Sequence, residues 1–203
     1  MDASRTNTSS LRQYQSYDVA ASTAVVTLFL TSLHRCQSFE MFVRTDLKYF
    51  YLQNIERVPS TSLESVNVWC LDYEWTQVND ARLLTDLLLN TRSLRTIHWS
   101  CGLGSPIIPH SWENLRELST DRIGTLPEFL DALSYCQSLE RLKIHQPSYY
   151  GWPSTFVTLP RVTHLSLLVG IASKAIIDQL VLPSLADLEL VLLYRLSGLP
   201  LST

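Results

Sequence analysis

The stretch Leu139-Glu-Arg-Leu142-Lys-Ile144 decides the fold, because its spacing of apolar residues returns along the chain. Two further copies are equally regular: Val162-Thr-His-Leu165-Ser-Leu167 and Leu185-Ala-Asp-Leu188-Glu-Leu190. Four looser copies keep part of the spacing and begin at Phe39, Leu63, Leu94 and Leu115. The copy at Phe39 is the least regular, since Arg44 stands where an apolar residue is expected.

The spacing of these seven copies indicates a repeat. They begin at residues 39, 63, 94, 115, 139, 162 and 185, so the intervals are 24, 31, 21, 24, 23 and 23 residues. Five of the six intervals lie within the range of about 20–29 residues that one strand and its return occupy in a stacked array. Leucine accounts for 36 of the 203 residues, which is typical of a core that uses one residue type repeatedly.

The alternation of side chains on a strand predicts how the repeats pack. The last two apolar residues of each copy stand two positions apart, so on a strand they face the same side. That side must pack against the returns and the neighbouring repeats, because one repeat cannot bury its apolar face alone. We therefore predict an α/β solenoid of about seven repeats over residues 19–203, with parallel strands on its concave face. Residues 1–18 are polar and are predicted to be disordered.

The returns between the strands are predicted to alternate between helices and short loops. Helical stretches precede Phe39, Leu94 and Leu139, whereas short loops precede Leu115 and Val162. Asn79 can cap the second helical return, and Thr125-Leu-Pro-Glu128 has the spacing of a capping box for the third. Residues 172–180 resemble a further short helix, and the apolar residues 188–201 show no polar capping repeat after them.

Four motifs link this chain to a known superfamily: Cys36-Gln-Ser-Phe39, Cys136-Gln-Ser-Leu139, Leu159-Pro-Arg-Val162 and Leu182-Pro-Ser-Leu185. With these motifs, residues 30–195 resemble leucine-rich repeat proteins and, more narrowly, the repeat half of fungal F-box-like proteins. The resemblance implies a substrate-recruiting subunit, in which an F-box grips a ubiquitin ligase adaptor and the repeats hold the protein to be ubiquitylated. No F-box is recognisable in this sequence, so any link to the ligase machinery would pass through a segment that it lacks.

The residues that flank the inward-facing leucines should face a partner on the concave sheet. Their charges form bands, acidic at 117–121, basic at 141–145 and acidic again at 187–189, which would steer a complementary partner. Trp69 is the predicted anchor. The predicted partner-binding residues are Asn67, Trp69, Thr96, His98, Glu117, Asp121, Arg141, Lys143, His145, His164, Asp187 and Glu189. The alternative is a row of ordinary solvated residues, in which Asp121, Arg141 and Asp187 neutralise each other.

The sequence shows no clear residue pattern for catalysis, cofactor binding or metal binding. His98, His145 and His164 could approach one another, but no carboxylate or thiolate is spaced to complete a zinc or copper site. The glycine cluster Cys101-Gly-Leu-Gly-Ser105 lacks the lysine of a phosphate-binding loop, and no Gly-x-Ser-x-Gly elbow occurs. We therefore predict a protein that is not an enzyme, with no catalytic residues, no cofactor and no bound metal.

Charge and cysteine usage bear on partners and compartment. The 16 basic and 19 acidic residues give a net charge of −3, so we predict no nucleic-acid partner. Residues 19–33 are interrupted by polar residues and fall short of the ~20 apolar residues that span a bilayer, so we predict a core-facing helix there and no membrane partner. The widely spaced Cys36, Cys70, Cys101 and Cys136 suggest single thiols and a cytoplasmic or nuclear protein. Two disulfides in a secreted protein are the alternative.

The sequence thus predicts a non-enzymatic protein-binding module, with two alternatives. The first is a truncated or structural repeat fragment without its own ligand, suggested by the apolar residues 188–201. The second and weaker alternative is a secreted or membrane-tethered repeat receptor, which rests on the apolar residues 19–33.

Overall fold

The computed structural model describes residues 21, 24–25, 27–43, 62–70, 88–100, 111–121, 125–145, 155–169 and 173–192. Within these ranges, nine strands are named in chain order: β1 Ser38–Val43, β2 Ser65–Cys70, β3 Thr96–Trp99, β4 Glu117–Thr120, β5 Arg141–Ile144, β6 Val157–Thr158, β7 His164–Val169, β8 Leu180–Val181 and β9 Asp187–Leu192. The helices with defined bounds are α1, Leu126–Ser134, and α2, Ser173–Gln179. Residues 27–31 are also helical and lead into a 3-10 turn, Leu33–Arg35.

Seven of the described strands form one parallel sheet in the order β1-β2-β3-β4-β5-β7-β9. Within this sheet, strands that follow one another in the chain are also neighbours in space. The short strands β6 and β8 are not part of it and pair with each other. The central apolar positions of the copies are in register, from Val66 through Ile97, Leu118, Leu142 and Leu165 to Leu188. The predicted α/β class and the parallel sheet are confirmed.

The first copy has a different register from the predicted one. Phe39 pairs with Val66 and Phe42 pairs with Trp69, so the first copy begins at Cys36 and not at Phe39. The reason is the length of the connection after the preceding helical turn. β1 starts two residues after Cys36, whereas β5 starts five residues after Cys136, although both cysteines end a helical segment.

The buried apolar side chains of the described residues form one cluster on one side of the main sheet. Each such side chain contributes roughly 1.5–3 kcal/mol when it is fully buried. The strands β2 to β7 supply Val66, Val68, Ile97, Trp99, Leu118, Leu142, Ile144, Leu165 and Leu167 to this core. The residue that opens each copy is buried with them at Leu63, Leu94, Leu115, Leu139 and Val162. Buried aliphatic side chains therefore recur at equivalent positions, as the repeat predicts.

The helical returns cover this core. Helix α1 begins at the predicted cap, where the Thr125 hydroxyl accepts a hydrogen bond from the Glu128 backbone N–H at 3.4 Å and donates to Glu128 Oε2 at 2.7 Å. Its Phe129 and Leu130 are buried. Helix α2 falls within the predicted residues 172–180 and buries Ile176. Leu88, at the end of the second predicted helical return, is helical and buried, while residues 79–87 lie outside the described residues.

Polar side chains at the strand entrances tie neighbouring repeats together. In four of the copies, the side chain of the residue just before the first apolar position donates a hydrogen bond to a backbone carbonyl of the preceding repeat. The donors are Ser62 to His34 at 3.0 Å, Ser93 to Leu63 at 2.8 Å, Asn114 to Arg92 at 3.1 Å and Ser184 to Pro160 at 2.6 Å. The buried Trp112 adds a 2.9 Å bond from its indole N–H to the Leu89 carbonyl. These bonds link repeats that the hydrophobic core already stacks.

The two ends of the described sheet differ from its middle. On β9, Leu188 and Leu190 are 53% and 51% exposed, although their neighbours Leu165 and Leu167 on β7 are 3% and 1% exposed. Near the other end, Leu30 of the helical residues 27–31 is buried, whereas Leu28 and Phe29 are exposed. No helix in the described part of the chain has the length and apolar character needed to cross a bilayer.

Several predictions concern residues that the structure does not describe. The disordered N-terminus predicted at 1–18, the glycine cluster at 101–105 and Cys101 lie outside the described ranges, as do residues 193–203. Of the described cysteines, Cys36 and Cys136 are free thiols, and each thiol contacts the carbonyl four residues earlier. Burial raises the pKa of the Cys136 thiol well above its ordinary value.

Candidate partner-binding groove

The face of the main sheet opposite the core carries polar side chains in three rows, and we call it the polar face. The first row runs through Ser65, Thr96, Glu117, Arg141, His164 and Asp187. The middle row runs through Asn67, His98, Ser119, Lys143, Ser166 and Glu189. The last row starts with Phe42 and Trp69 and continues, past the strand ends, to Asp121 and His145. Parallel register is what aligns these residues, because equivalent positions of successive copies become neighbours.

A groove of about 660 Å³ crosses the polar face from β2 to β5. It is lined by Asn67, Trp69, Thr96, Ile97, His98, Glu117, Leu118, Ser119, Asp121, Arg141, Lys143 and His145. The structure thus brings together nine of the twelve residues predicted to bind a partner. The other three, His164, Asp187 and Glu189, lie on β7 and β9 of the same face but do not line the groove.

Ionic groups in the first row pair with each other across adjacent strands. Arg141 Nη1 lies 2.8 Å from Glu117 Oε1, and His164 Nε2 lies 2.8 Å from Asp187 Oδ2. The alternative in which Asp121, Arg141 and Asp187 neutralise each other therefore names the wrong partners. Pairs that are this exposed contribute about 0–1 kcal/mol each to stability, so the chief effect of the first is to match the charge of Arg141 with that of Glu117.

Lys143 in the middle row has different surroundings. Its neighbours on the adjacent strands are Ser119 and Ser166, which carry no charge. Lys143 is exposed, and within the described ranges no carboxylate forms an ion pair with it. On the same part of the face, the Ser119 hydroxyl lies 3.5 Å from His145 Nε2.

Three aromatic rings stack where β1, β2 and β3 meet. The rings of Phe42 and Trp69 are 6.2 Å apart and inclined by 11°, and His98 lies 3.7 Å from Trp69 on its other side. Phe42 is 64% exposed. Trp69 Nε1 and His98 Nε2 are sealed from solvent and have no hydrogen-bond partner among the described residues. We call Phe42 and Trp69 the aromatic shelf.

The environment of His98 lowers its pKa below the ordinary value. Burial beneath the neighbouring side chains is the main cause, since it disfavours the charged imidazolium. The Asp121 carboxylate opposes this effect, while the nearby His145 and Lys143 add to it. His98 is therefore held neutral over a wider pH range than an ordinary histidine.

The structure corrects two further expectations for this face. Ser100 and Ser166 flank inward-facing residues, so the strand alternation predicts that they are exposed on this face, yet both are buried. Their side chains are short, and Ser166 stands between the longer Lys143 and Glu189.

Phe42 was missed as a site residue because the first copy was read in the wrong register. The phrase Cys36-Gln-Ser-Phe39-Glu-Met41 is the pattern that would have identified it.

A smaller depression of about 250 Å³ lies at the strand entrances. Its charges interleave: Arg95 lies 3.8 Å from Glu64, and Arg116 lies 3.6 Å from Glu140. Throughout the described ranges, no three His, Cys, Asp or Glu side chains are grouped so that they could hold a metal ion.

Comparisons with protein-family models, with curated proteins and with solved structures yield no match. The geometry and charge of the groove are therefore the basis for assigning it a role.

Proposed function

We propose that this chain is a non-enzymatic protein-binding module, built as a leucine-rich-repeat solenoid whose concave sheet face holds a segment of a protein partner. The observation that supports this proposal best is the groove across β2 to β5, because parallel register aligns its polar side chains on four adjacent strands. Broad sheet faces of this kind are the surfaces that repeat arrays use for binding.

The lining of the groove favours a protein partner over other ligands. Trp69, Ile97 and Leu118 give the groove apolar surface, and charged, hydroxyl and amide side chains surround it. Apolar surface with a polar rim is the usual composition of a protein-binding surface. Nucleic acid requires a clear excess of basic side chains. Here Glu117 and Asp121 balance Arg141 and Lys143. A balanced set of charges with hydroxyl and amide groups suits a polypeptide segment.

Filling the groove tests the proposal. Ser119→Arg places a long side chain in its middle, and Thr158→Arg places the same side chain on β6, away from the polar face. We expect proteins captured by the unaltered chain from the cells that express it to be retained by Thr158→Arg and lost by Ser119→Arg. Capture that survives Ser119→Arg in full, with the variant folded by circular dichroism, would contradict the proposal.

The ligase role and the compartment are narrower proposals. We propose that the chain is the substrate-recognition part of an F-box-type ubiquitin ligase subunit in the cytoplasm or nucleus, a role that rests on the motif resemblance alone. Fusing an F-box to the chain should confer binding to a ligase adaptor, and the chain by itself should not bind it. For the compartment, a thiol assay on the denatured, unreduced protein should find all four cysteines free.

A structural role is the second candidate, and the exposed leucines of β9 favour it. Leu188, Leu190 and Leu192 are each more than half exposed on the side of the sheet that is buried elsewhere. If association is the function of this chain, gel filtration at low micromolar concentration should show oligomers that Leu190→Glu dissociates. A monomer under these conditions would remove this candidate.

A further inference from the structure

Among the basic side chains of the groove with a fixed charge, Lys143 is the one without an ion pair in the described part of the chain. Arg141, the other basic side chain with a fixed charge in the groove, is already paired with Glu117. Lys143 lies between two serines and has no ion pair within the described ranges. Its exposed ammonium group is therefore available to an anion brought by a partner.

The negative charge of the groove is less accessible. Asp121 is only partly exposed, and its carboxylate stabilises the charged form of His98. His145 continues the same row on the next strand. The two imidazoles thus flank the carboxylate, while Lys143 projects from the middle row. Of the two charges in the groove that no ion pair matches within the described ranges, Lys143 is exposed and Asp121 is only partly exposed.

The aromatic shelf lies at the opposite end of the groove, where Trp69 lines it and Phe42, on β1, lies next to Trp69. Phe42 is largely exposed, and Trp69 stacks against it with nearly parallel rings. Exposed aromatic pairs supply large apolar area at a small cost in side-chain entropy, which makes them suitable anchors for an apolar side chain. Main-chain polar groups of a partner would find hydrogen-bonding groups between the two ends, at Asn67, Thr96 and Ser119.

The distance between Trp69 and Lys143 determines how many residues must separate the two side chains of the ligand that contact them. Trp69 on β2 and Lys143 on β5 are three strands apart, about 14 Å at the usual strand spacing, and two positions apart along the strands, about 7 Å. The resulting diagonal is about 16 Å, which an extended peptide covers in about four or five residues.

We infer that the groove binds a linear protein segment that rests an aromatic side chain on the aromatic shelf and sets one carboxylate at Lys143, four or five residues away. This inference rests on the proposed function and specifies the chemistry of the partner. A single acidic residue suits the site better than an acidic tract, because the chain has a net charge of −3 and would repel a strongly acidic partner.

Selection from a displayed library of random linear dodecapeptides on the full-length chain tests the inference. Enriched peptides should contain an aromatic residue and an Asp or Glu separated by four or five positions. A synthetic peptide of that consensus should bind about tenfold more weakly to Lys143→Glu and to Trp69→Ala. Lys174→Glu makes the same charge reversal outside the groove, and Phe156→Ala removes an exposed aromatic ring outside it, so both variants should leave binding unaltered.

A charge exchange makes the test specific to the proposed contact. The consensus peptide with Lys in place of its acidic residue should bind Lys143→Glu more tightly than it binds the unaltered chain. Groove-dependent peptides that lack the acidic residue, or carry a basic one instead, would overturn the inference and leave the proposed function standing. Peptides that depend on neither Trp69 nor Lys143 would also overturn it, and the capture experiment with Ser119→Arg then decides the proposed function separately.

Discussion

Ser93 donates its hydroxyl hydrogen to the carbonyl of Leu63, 2.8 Å away and 30 residues earlier in the chain. Ser134 makes a hydrogen bond of the same chemical kind, but to Asp131 within its own helix and at an exposed position. A comparison of the two serines therefore separates the contribution to stability of a hydrogen bond between repeats from that of a hydrogen bond within one helix. At the residue scale, this contrast and the buried imidazole of His98 lead to the first two predictions.

Removing the Ser93 hydroxyl should destabilise the fold more than removing the Ser134 hydroxyl. Ser93→Ala leaves a partly buried carbonyl without its donor and should lower the free energy of unfolding by about 0.5–1.5 kcal/mol. Ser134→Ala should change it by less than about 0.5 kcal/mol, because water replaces the lost bond. Urea denaturation followed by circular dichroism measures both. Equal effects of the two variants would show that the bond between repeats has no special role.

Stability should fall as the pH decreases, in part because of His98. In the unfolded chain His98 takes up a proton near its ordinary pKa of 6.5, whereas burial lowers the pKa in the folded chain. Below that pH the unfolded state therefore binds more protons than the folded state, which favours unfolding. The contribution of neutral His98 to the free energy of unfolding is fully present only above that pH. The difference between the urea midpoints at about pH 7.5 and about pH 5.5 should be smaller in His98→Gln than in the unaltered chain. An unchanged difference would mean that His98 titrates alike in both states.

At the element scale, the stability of helix α1 depends strongly on its N-cap, because the helix is short. It spans only Leu126–Ser134, and a helix this short is marginal without tertiary packing. The Thr125 hydroxyl bonds both the backbone and the side chain of Glu128, so it fixes where the helix begins. The cap also aims Phe129 and Leu130 at the core.

Loss of the cap should therefore lower the stability of the whole sheet region. Thr125→Ala should reduce the free energy of unfolding by about 0.5–2 kcal/mol, the usual range for an N-cap. Thr155→Ala removes the same side chain at an exposed position outside any helix and serves as the control. Thermal or urea unfolding compares the two variants. A Thr125→Ala variant as stable as Thr155→Ala would show that core packing alone determines the start of α1.

At the scale of the whole molecule, residues at equivalent repeat positions contribute unequally to the free energy of unfolding, according to their place in the sheet. Leu165 on β7 and Leu188 on β9 are register partners, yet Leu165 is buried and Leu188 is 53% exposed. β7 has a neighbouring strand on each side, whereas β9 has one described neighbour. The same repeat position therefore has a packed core around it in one strand and an open side in the other.

Shortening these two leucines should have unequal effects. Leu165→Ala leaves a cavity and should cost about 2–5 kcal/mol of unfolding free energy. Leu188→Ala should cost less than about 1 kcal/mol, because much of its surface is already in contact with water. Urea denaturation of both variants measures the difference. A cost for Leu188→Ala as large as that for Leu165→Ala would mean that this leucine is covered in solution.

The sequence by itself determined the strand period, the inward-facing positions and the parallel class of the sheet, because these follow from local alternation and from repeated spacing. The copies from Leu63 onward could be read correctly for the same reason. The first copy could not, since its register depends on where β1 starts after the turn at Leu33–Arg35, and that start is set by packing against β2.

The charges and rings of the polar face show what only the tertiary structure decided. A list of outward-facing residues contains Glu117, Arg141, Asp121 and Lys143 but does not say which of them pair. Pairing depends on the lateral register of strands joined by returns of unequal length, so that Glu117 meets Arg141 while Lys143 meets two serines. The aromatic shelf likewise exists only because β1 docks on β2 with Phe42 opposite Trp69. Local spacing specifies the direction of a side chain, whereas its neighbours are specified by the packing of the returns and the core.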